Sequence, residues 1–272
     1  ESPEKLAAQV ANINNTVKQA SGYKVHLYIE TATKDSFSKV LRQLKVHDIT
    51  YLRESALFSE FQQTEVSTLY NDFRLGDAKN LAYAADVLKP FIVFKRGGMY
   101  SDVDDIYQSE HTQDQQKLGN LSLMADPAEV VTHEPVSLPW EWLASADQIP
   151  NSSFAGHAGS SILSDLMVEM TLRYQKLVAS GTYSTNGGYI GQAILDKNPE
   201  GRPKIMADIV GPRALTDVIK RHDSEAATII SQATSRKFGD GAPEDLDERM
   251  QAKMPLGRYI TPGTLNSWKQ SQ

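Results

Sequence analysis

The chain contains no cysteine. Disulfides, cysteine-based zinc sites and cysteine nucleophiles are therefore excluded. A chain without thiols can be made in one compartment and work in another, although ordinary cytosolic chemistry explains the absence equally well. Long apolar runs are also missing. The most apolar stretch, Val87 to Phe94, is interrupted by Lys89 and Pro90 and is far too short to span a bilayer. There is no basic surplus: 28 Lys and Arg stand against 34 Asp and Glu, a formal net charge of -6. That balance argues against a general nucleic-acid binder while leaving room for a local basic patch. Lys95-Arg96 is too short to be a membrane patch, so membrane association is not indicated. The six histidines, His26, His47, His111, His133, His157 and His222, show no His-x-x-x-His or comparable metal spacing. No repeat and no signal peptide are visible. The first residue is Glu1, not methionine, which suggests a piece excised from something longer.

What is present is the composition of an ordinary soluble globular protein, with 40% apolar and 23% charged residues among 272. That length buries a substantial core. No second domain is evident, so residues 1–272 are read as one domain. Ser2-Pro3-Glu4-Lys5 is a helix start, and Leu6, Val10, Ile13 and Val17 follow along one helical face. Tyr23 to Glu30 alternates and is β-rich, a strand. Phe37, Val40, Leu41 and Leu44 suggest a second helix, and His47 to Leu52 a second strand. Strands alternating with helices imply an α/β fold with a mostly parallel central sheet flanked by helices. Residues 55–89 read as helical with a break near Gly76, and Pro90 predicts a kink or a stop. Gly97-Gly98 makes a turn, and Met99 to Val103 a short strand. Segment 111–150, with Pro127, Pro135, Pro139 and Pro150, reads as a strand or two plus loops. Gly159 to Ala179 is a helix. Gly187-Gly188 through Leu195 resembles a turn into a short helix. Ile205 to Val210 is a strand, and Gly211-Pro212 starts a helix to about Arg221. Ala227 to Ile230 is β-like, and the tail Gly257 to Gln272 reads as a loop.

Chemistry concentrates between Phe94 and Glu110, where the chain reads FKRGGMYSDVDDIYQSE. Residues two apart in a strand point to the same side, so Asp102 and Asp104 are expected to present two carboxylates together at a strand end. Asp105 then starts the following turn. Two like charges so close raise one pKa unless a cation is present. A hard divalent cation, Mg²⁺ or Mn²⁺, takes oxygen ligands and is commonly held by one or two carboxylates plus substrate phosphates. A bare Asp-x-Asp is common in solvated turns. This one follows a Gly-Gly turn and a β segment, at the strand end where α/β sheets place ligands.

Gly97-Gly98-Met99-Tyr100-Ser101-Asp102-Val103-Asp104 resembles the GG-x-Y-x-D-x-D signature of GT-A glycosyltransferases, in the version shared by the large clostridial glucosylating toxins and related bacterial effectors. Ala84-Ala85-Asp86-Val87-Leu88-Lys89 resembles their A-x-D-[IL]-[LV]-R segment, with Lys89 where an Arg is usual. The extended Asp102-Val103-Asp104-Asp105 is similar to the DxDD variant in the glycosyltransferase domain of the Photorhabdus toxin PaTox and its relatives. Ile209-Val210-Gly211-Pro212-Arg213 resembles a strand-to-helix turn late in that fold, and Asn266-Ser267-Trp268 its closing loop.

The resemblance implies a retaining, metal-dependent glycosyltransferase. It would be a secreted bacterial toxin domain acting in the host cytosol. Its donor would be UDP-N-acetylglucosamine and its acceptor a tyrosine hydroxyl of a Rho-family small GTPase. The implied catalytic cluster is Asp102, Asp104 and Asp105. Asp104 would ligate the metal, with Asn266 and Ser267 completing its shell. Asp86, Lys89, Tyr100, Asp102, Asn151 and Trp268 would bind the donor. Asp105 is open between three roles: marking the subgroup, capping the turn, or contacting the donor.

Other residues have plainer readings beside functional ones. His133-Glu134 could reach an acceptor or be a loop pair. Trp140 and Trp142 could form a platform or be half-buried loop aromatics. Gly187-Gly188-Tyr189 could approach substrate or make a tight turn. Three alternatives stand beside the leading one: a glucosyl- or mannosyltransferase acting on another protein or glycan, a metal-dependent phosphohydrolase, and a non-catalytic binding module.

Overall fold

The computed structural model describes residues 3–19, 24–30, 38–75, 80–107, 130–132, 149, 151–179, 208–237, 243–246, 248–249 and 260–261. Helix α1 (Pro3–Gln19) opens with Pro3 in its first turn, where the missing N–H of proline costs nothing. It packs against β4 (Ile106–Tyr107). Strands β1 (His26–Ile29) and β2 (Asp48–Tyr51) pair in parallel, with Leu27 opposite Ile49. Between them lies the short helix α2 (Ser38–Leu41).

Three helices follow. Ser55 caps α3 (Ala56–Phe61), its side chain accepting from the Phe58 N–H at 3.2 Å. Then come α4 (Val66–Leu75) and α5 (Leu81–Arg96). Asn80 caps α5 by accepting from Ala82 and Tyr83. Of the kink or stop expected at Pro90, the stop does not occur: α5 continues through Pro90 to Arg96. A proline inside a helix costs about 3 kcal/mol, whereas each buried apolar side chain contributes about 1.5–3 kcal/mol. Val87, Leu88, Phe91 and Val93 are all buried on this helix, so packing outweighs the lost bond. Phe91 meets Phe61 edge-on, and Phe61 meets Tyr70 the same way. These rings lock α3, α4 and α5 into one core.

Gly97 ends α5 with φ 68°, and Gly98 opens β3 (Gly98–Ser101) with φ 104°. Both values lie in the left-handed region that only glycine enters freely. A Cβ on Gly97 would also come within 3.0 Å of the Ala158 backbone nitrogen. β3 pairs antiparallel with β6 (Ser153–Gly156), which in turn pairs antiparallel with β5 (Val130–Thr132). β6 is the central strand and all four of its residues are buried. Helix α6 (Ser161–Ala179) then packs on α5, and α7 (Pro212–His222) on α6. The α/β class holds. Among the described residues, parallel pairing is confined to β1–β2.

Three segments differ from the sequence expectation. Asp208 and Ile209 are helical, and Val210 lies in a turn. Ile209 and Val210 bury their side chains there as the chain enters α7, so no strand forms at 208–210. Ala227 to Ile230 lies inside helix α8 (Ser224–Lys237). Asp223 supplies the overlooked start signal, accepting from the Ala226 N–H at 2.9 Å. The C-terminal tail, expected as loop, contributes strand β7 (Ile260–Thr261), which pairs antiparallel with β4. The helix expected after Gly187-Gly188 lies outside the described residues.

Candidate active site

The site forms where α5 ends and β3 turns back. Asp86 and Lys89 are three apart on α5 and so share a face. Lys89 is buried, with its side chain 4% exposed, and its Nζ lies 2.6 Å from Asp86 Oδ1. The same Nζ is 3.9 Å from Asp102 Oδ1 and 5.0 Å from the centre of the Tyr100 ring. The Tyr100 hydroxyl donates to Asp102 Oδ1 at 2.6 Å. Asn151, just before β6, donates from its side chain to Asp86. The structure thus brings together Asp86, Lys89, Tyr100, Asp102 and Asn151, residues drawn from three separate stretches of chain.

Asp102 and Asp104 do not alternate along a strand as expected. β3 ends at Ser101, and a turn begins at once, closed by the Asp105 N–H donating to the Asp102 carbonyl at 3.1 Å. Val103 and Asp104 are its two central residues, and Val103 is exposed. Asp105 is the best anchored of the acidic residues. It is 2% exposed, and its Oδ2 accepts from Ser153 Oγ at 2.5 Å, Ser101 Oγ at 3.1 Å and the Asp102 N–H at 3.2 Å. Of the three roles left open by the sequence, this geometry is that of a turn cap. Ser101 and Ser153 were not singled out from sequence. Serine is common everywhere, and only the pairing of Ser101 with Ser153 across β3–β6 makes them a matched set.

Electrostatics follow from three carboxylates around one ammonium. Burial pushes Asp102 up to about 7; Lys89 pulls it back, while Asp105 and Asp86 push it further. Burial also raises Asp86, opposed by Lys89 and Asn151. For Lys89 burial is the largest influence and acts downward, but Asp86 and Asp102 together hold it above its ordinary value. Burial and the neighbouring Asp102 carboxylate keep Tyr100 well above the ordinary phenol range. Lys89 is therefore charged. Asp102 and Asp104 offer hard oxygen donors of the kind Mg²⁺ and Mn²⁺ prefer. Among the described residues no group of three or more acidic or histidine side chains could hold a metal. Other expected residues, Asn266, Ser267, Trp268, His133, Glu134, Trp140, Trp142, Gly187, Gly188 and Tyr189, lie outside the described residues.

Residues 7–120, which include Asp86, Lys89, Tyr100, Ser101, Asp102, Asp104 and Asp105 but not Asn151 or Ser153, match the family model described as glycosyltransferase sugar-binding region containing DXD motif. The chain's enzyme class is accordingly glycosyltransferase. None of the curated proteins matches the chain. Among solved structures it resembles the PaToxG glycosyltransferase, with TM-score 0.59 at 15% identity over 94% of this chain and 83% of that one. At that identity the likeness gives the fold, an α/β fold of the GT-A type. More distant are the UDP-bound glycosyltransferase domain from the YGT toxin, with TM-score 0.44 and 12% identity over 80% of this chain and 64% of that one. The catalytic domain of alpha-toxin from Clostridium novyi gives TM-score 0.35 and 11% identity over 74% and 43%.

Proposed function

We propose that this glycosyltransferase is a bacterial toxin domain that transfers a sugar from a UDP-sugar, with retention of anomeric configuration and in the presence of Mn²⁺ or Mg²⁺. The carrying observation is the pair of carboxylates, Asp86 and Asp102, gathered around the buried Lys89 from α5 and the end of β3 inside the DXD-type region. The donor is UDP-N-acetylglucosamine and the acceptor a tyrosine hydroxyl of a Rho-family small GTPase. The DxDD extension and the PaToxG-like fold support this finer reading.

The contacts of Asp86, Lys89, Tyr100 and Asp102 support their roles, and the remaining roles follow from the resemblance. Asp86, held by Lys89 and Asn151, is fixed to accept from donor-sugar hydroxyls. Lys89, charged and buried, faces the same space and offsets negative charge gathering on the departing diphosphate. Tyr100 orients the Asp102 carboxylate by donating to it. Asp104 and Asp102 would hold the metal, which when bound supplies positive charge to the diphosphate leaving group. Asn266 and Ser267 would complete its shell, with Trp268 closing over the donor. The β4–β7 pair supports a role for the tail. Thr261 sits opposite Ile106, one residue past Asp105. Asn266, five residues on, lies within roughly 17 Å of Thr261 by chain length alone. Among the described residues no nucleophile lies beside the Asp pair, so the acceptor hydroxyl attacks from the face that UDP leaves, and the UDP oxygen takes its proton.

The proposal is tested by incubating the protein with several UDP-sugars and a host-cell lysate, then mapping modified peptides by mass spectrometry. The expected product is a tyrosine of a Rho-family GTPase carrying N-acetylhexosamine. A modified serine or threonine, or a hexose adduct, would overturn the acceptor or donor assignment while leaving glycosyl transfer intact.

A further inference from the structure

We propose that Asp105 is a positioning residue for the Asp102–Asp104 pair, acting through Ser153 of β6 and touching neither metal nor donor. The inference rests on the metal-dependent reading of the site. A buried carboxylate is tolerated where hydrogen bonds replace its lost water, and here two hydroxyls and a backbone N–H converge on Asp105 Oδ2. The two hydroxyls belong to residues paired across β3 and β6, so Asp105 fastens the turn to both strands at once. The closure is reciprocal. The Asp105 N–H donates to the Asp102 carbonyl, and the Asp102 N–H donates to the Asp105 carboxylate. Val103 and Asp104 lie between these two bonds, so the closure fixes the direction in which Asp104 leaves the chain.

The partner strand extends this role. Three consecutive residues leading into β6, Asn151 to Ser153, reach three acidic residues of the site. The Asn151 side chain bonds Asp86, the Ser152 carbonyl accepts from the Asp102 N–H at 2.9 Å, and Ser153 Oγ donates to Asp105. Residues 151–153 thus set the distance between the α5 carboxylate and the β3 turn. Asp105 is the point at which the turn is fixed to that spacer.

Mn²⁺ binding to the nucleotide-free protein, followed by the electron paramagnetic resonance signal of free Mn²⁺, tests this without any assay of activity. Affinity is expressed per folded molecule, with melting temperature measured alongside. Residues that orient metal ligands typically change affinity by about 10-fold or more when lost. Asp105→Asn and Ser153→Ala should each weaken Mn²⁺ binding by about 10-fold. The double variant should be no worse than the weaker single within about twofold, because both remove one contact. If Asp105→Asn weakens binding while Ser153→Ala binds as wild type, Asp105 touches the metal itself and the proposal falls. Wild-type affinity in Ser153→Ala alone is enough to overturn it, should Asp105→Asn fail to fold. A lower melting temperature with unchanged Mn²⁺ affinity in both variants also overturns it, leaving Asp105 purely structural. A wild-type chain that binds no Mn²⁺ either alone or with UDP present overturns the metal reading and this inference with it.

Discussion

At the scale of single residues, the site depends on one buried cation. Lys89 is the ammonium shared by Asp86 and Asp102, and its removal leaves the half-buried Asp86 without that partner. Breaking a buried pair from one side costs about 3–5 kcal/mol, whereas removing both charges is often far milder. Lys89→Met should therefore destabilise the fold by about 3 kcal/mol in urea unfolding, and adding Asp86→Asn should recover much of that loss. Equal destabilisation in the single and double variants would show that the pair is not what holds Lys89 inside. Most of this cluster was legible in the sequence, because Asp86, Lys89, Tyr100 and Asp102 fall in recognisable local patterns. The anchoring role of Asp105 was not. It depends on Ser153, far away in sequence, and a hydroxyl carries no local signal of which carboxylate it will meet.

At the scale of elements, helix contacts are fastened by polar groups as well as apolar faces. Asp72 on α4 accepts a hydrogen bond from the Tyr174 hydroxyl on α6, and burial pushes its pKa up to about 6. An unfolded aspartate titrates near 3.9. Between these values the folded state holds a proton that the unfolded chain releases, so stability falls as pH rises from about 4 to about 6. Asp72→Asn stays neutral throughout. It should melt about 2–4 °C above wild type at pH 8 and with it at pH 3, in thermal scans across that range. A constant offset at every pH would refute the assigned shift.

The long helices were readable from their apolar periodicity, and β1 from its alternation. Pro90 misled, because the cost of a proline is local while the compensating burial of Phe91 and Val93 is tertiary. Ala227 to Ile230 misled because Ile229-Ile230 is β-branched. The cap at Asp223, four residues earlier, decides for helix. The antiparallel pairing of β3 with β6 had no local signature at all.

At the scale of the whole molecule, distant parts of the chain meet beside the acidic turn. α1 packs on β4, β4 follows Asp105 directly, and β7 of the tail pairs with β4. The turn is thereby framed by the first helix, by β6 and by the C-terminal strand. A sequence reader sees the tail as a Gly-Pro-Thr loop, because a two-residue strand leaves no periodicity. Its placement beside Ile106 is what makes a contribution from Asn266, Ser267 and Trp268 physically reachable.

The measurement that bears most directly on metal-dependent glycosyl transfer is UDP release from UDP-N-acetylglucosamine and other UDP-sugars, with and without Mn²⁺. Wild type should release UDP only with the cation, and Asp102→Asn and Asp104→Asn should each reduce the rate by about 100-fold or more. No UDP release from any UDP-sugar with any divalent cation, or undiminished release by both variants, would contradict the assignment.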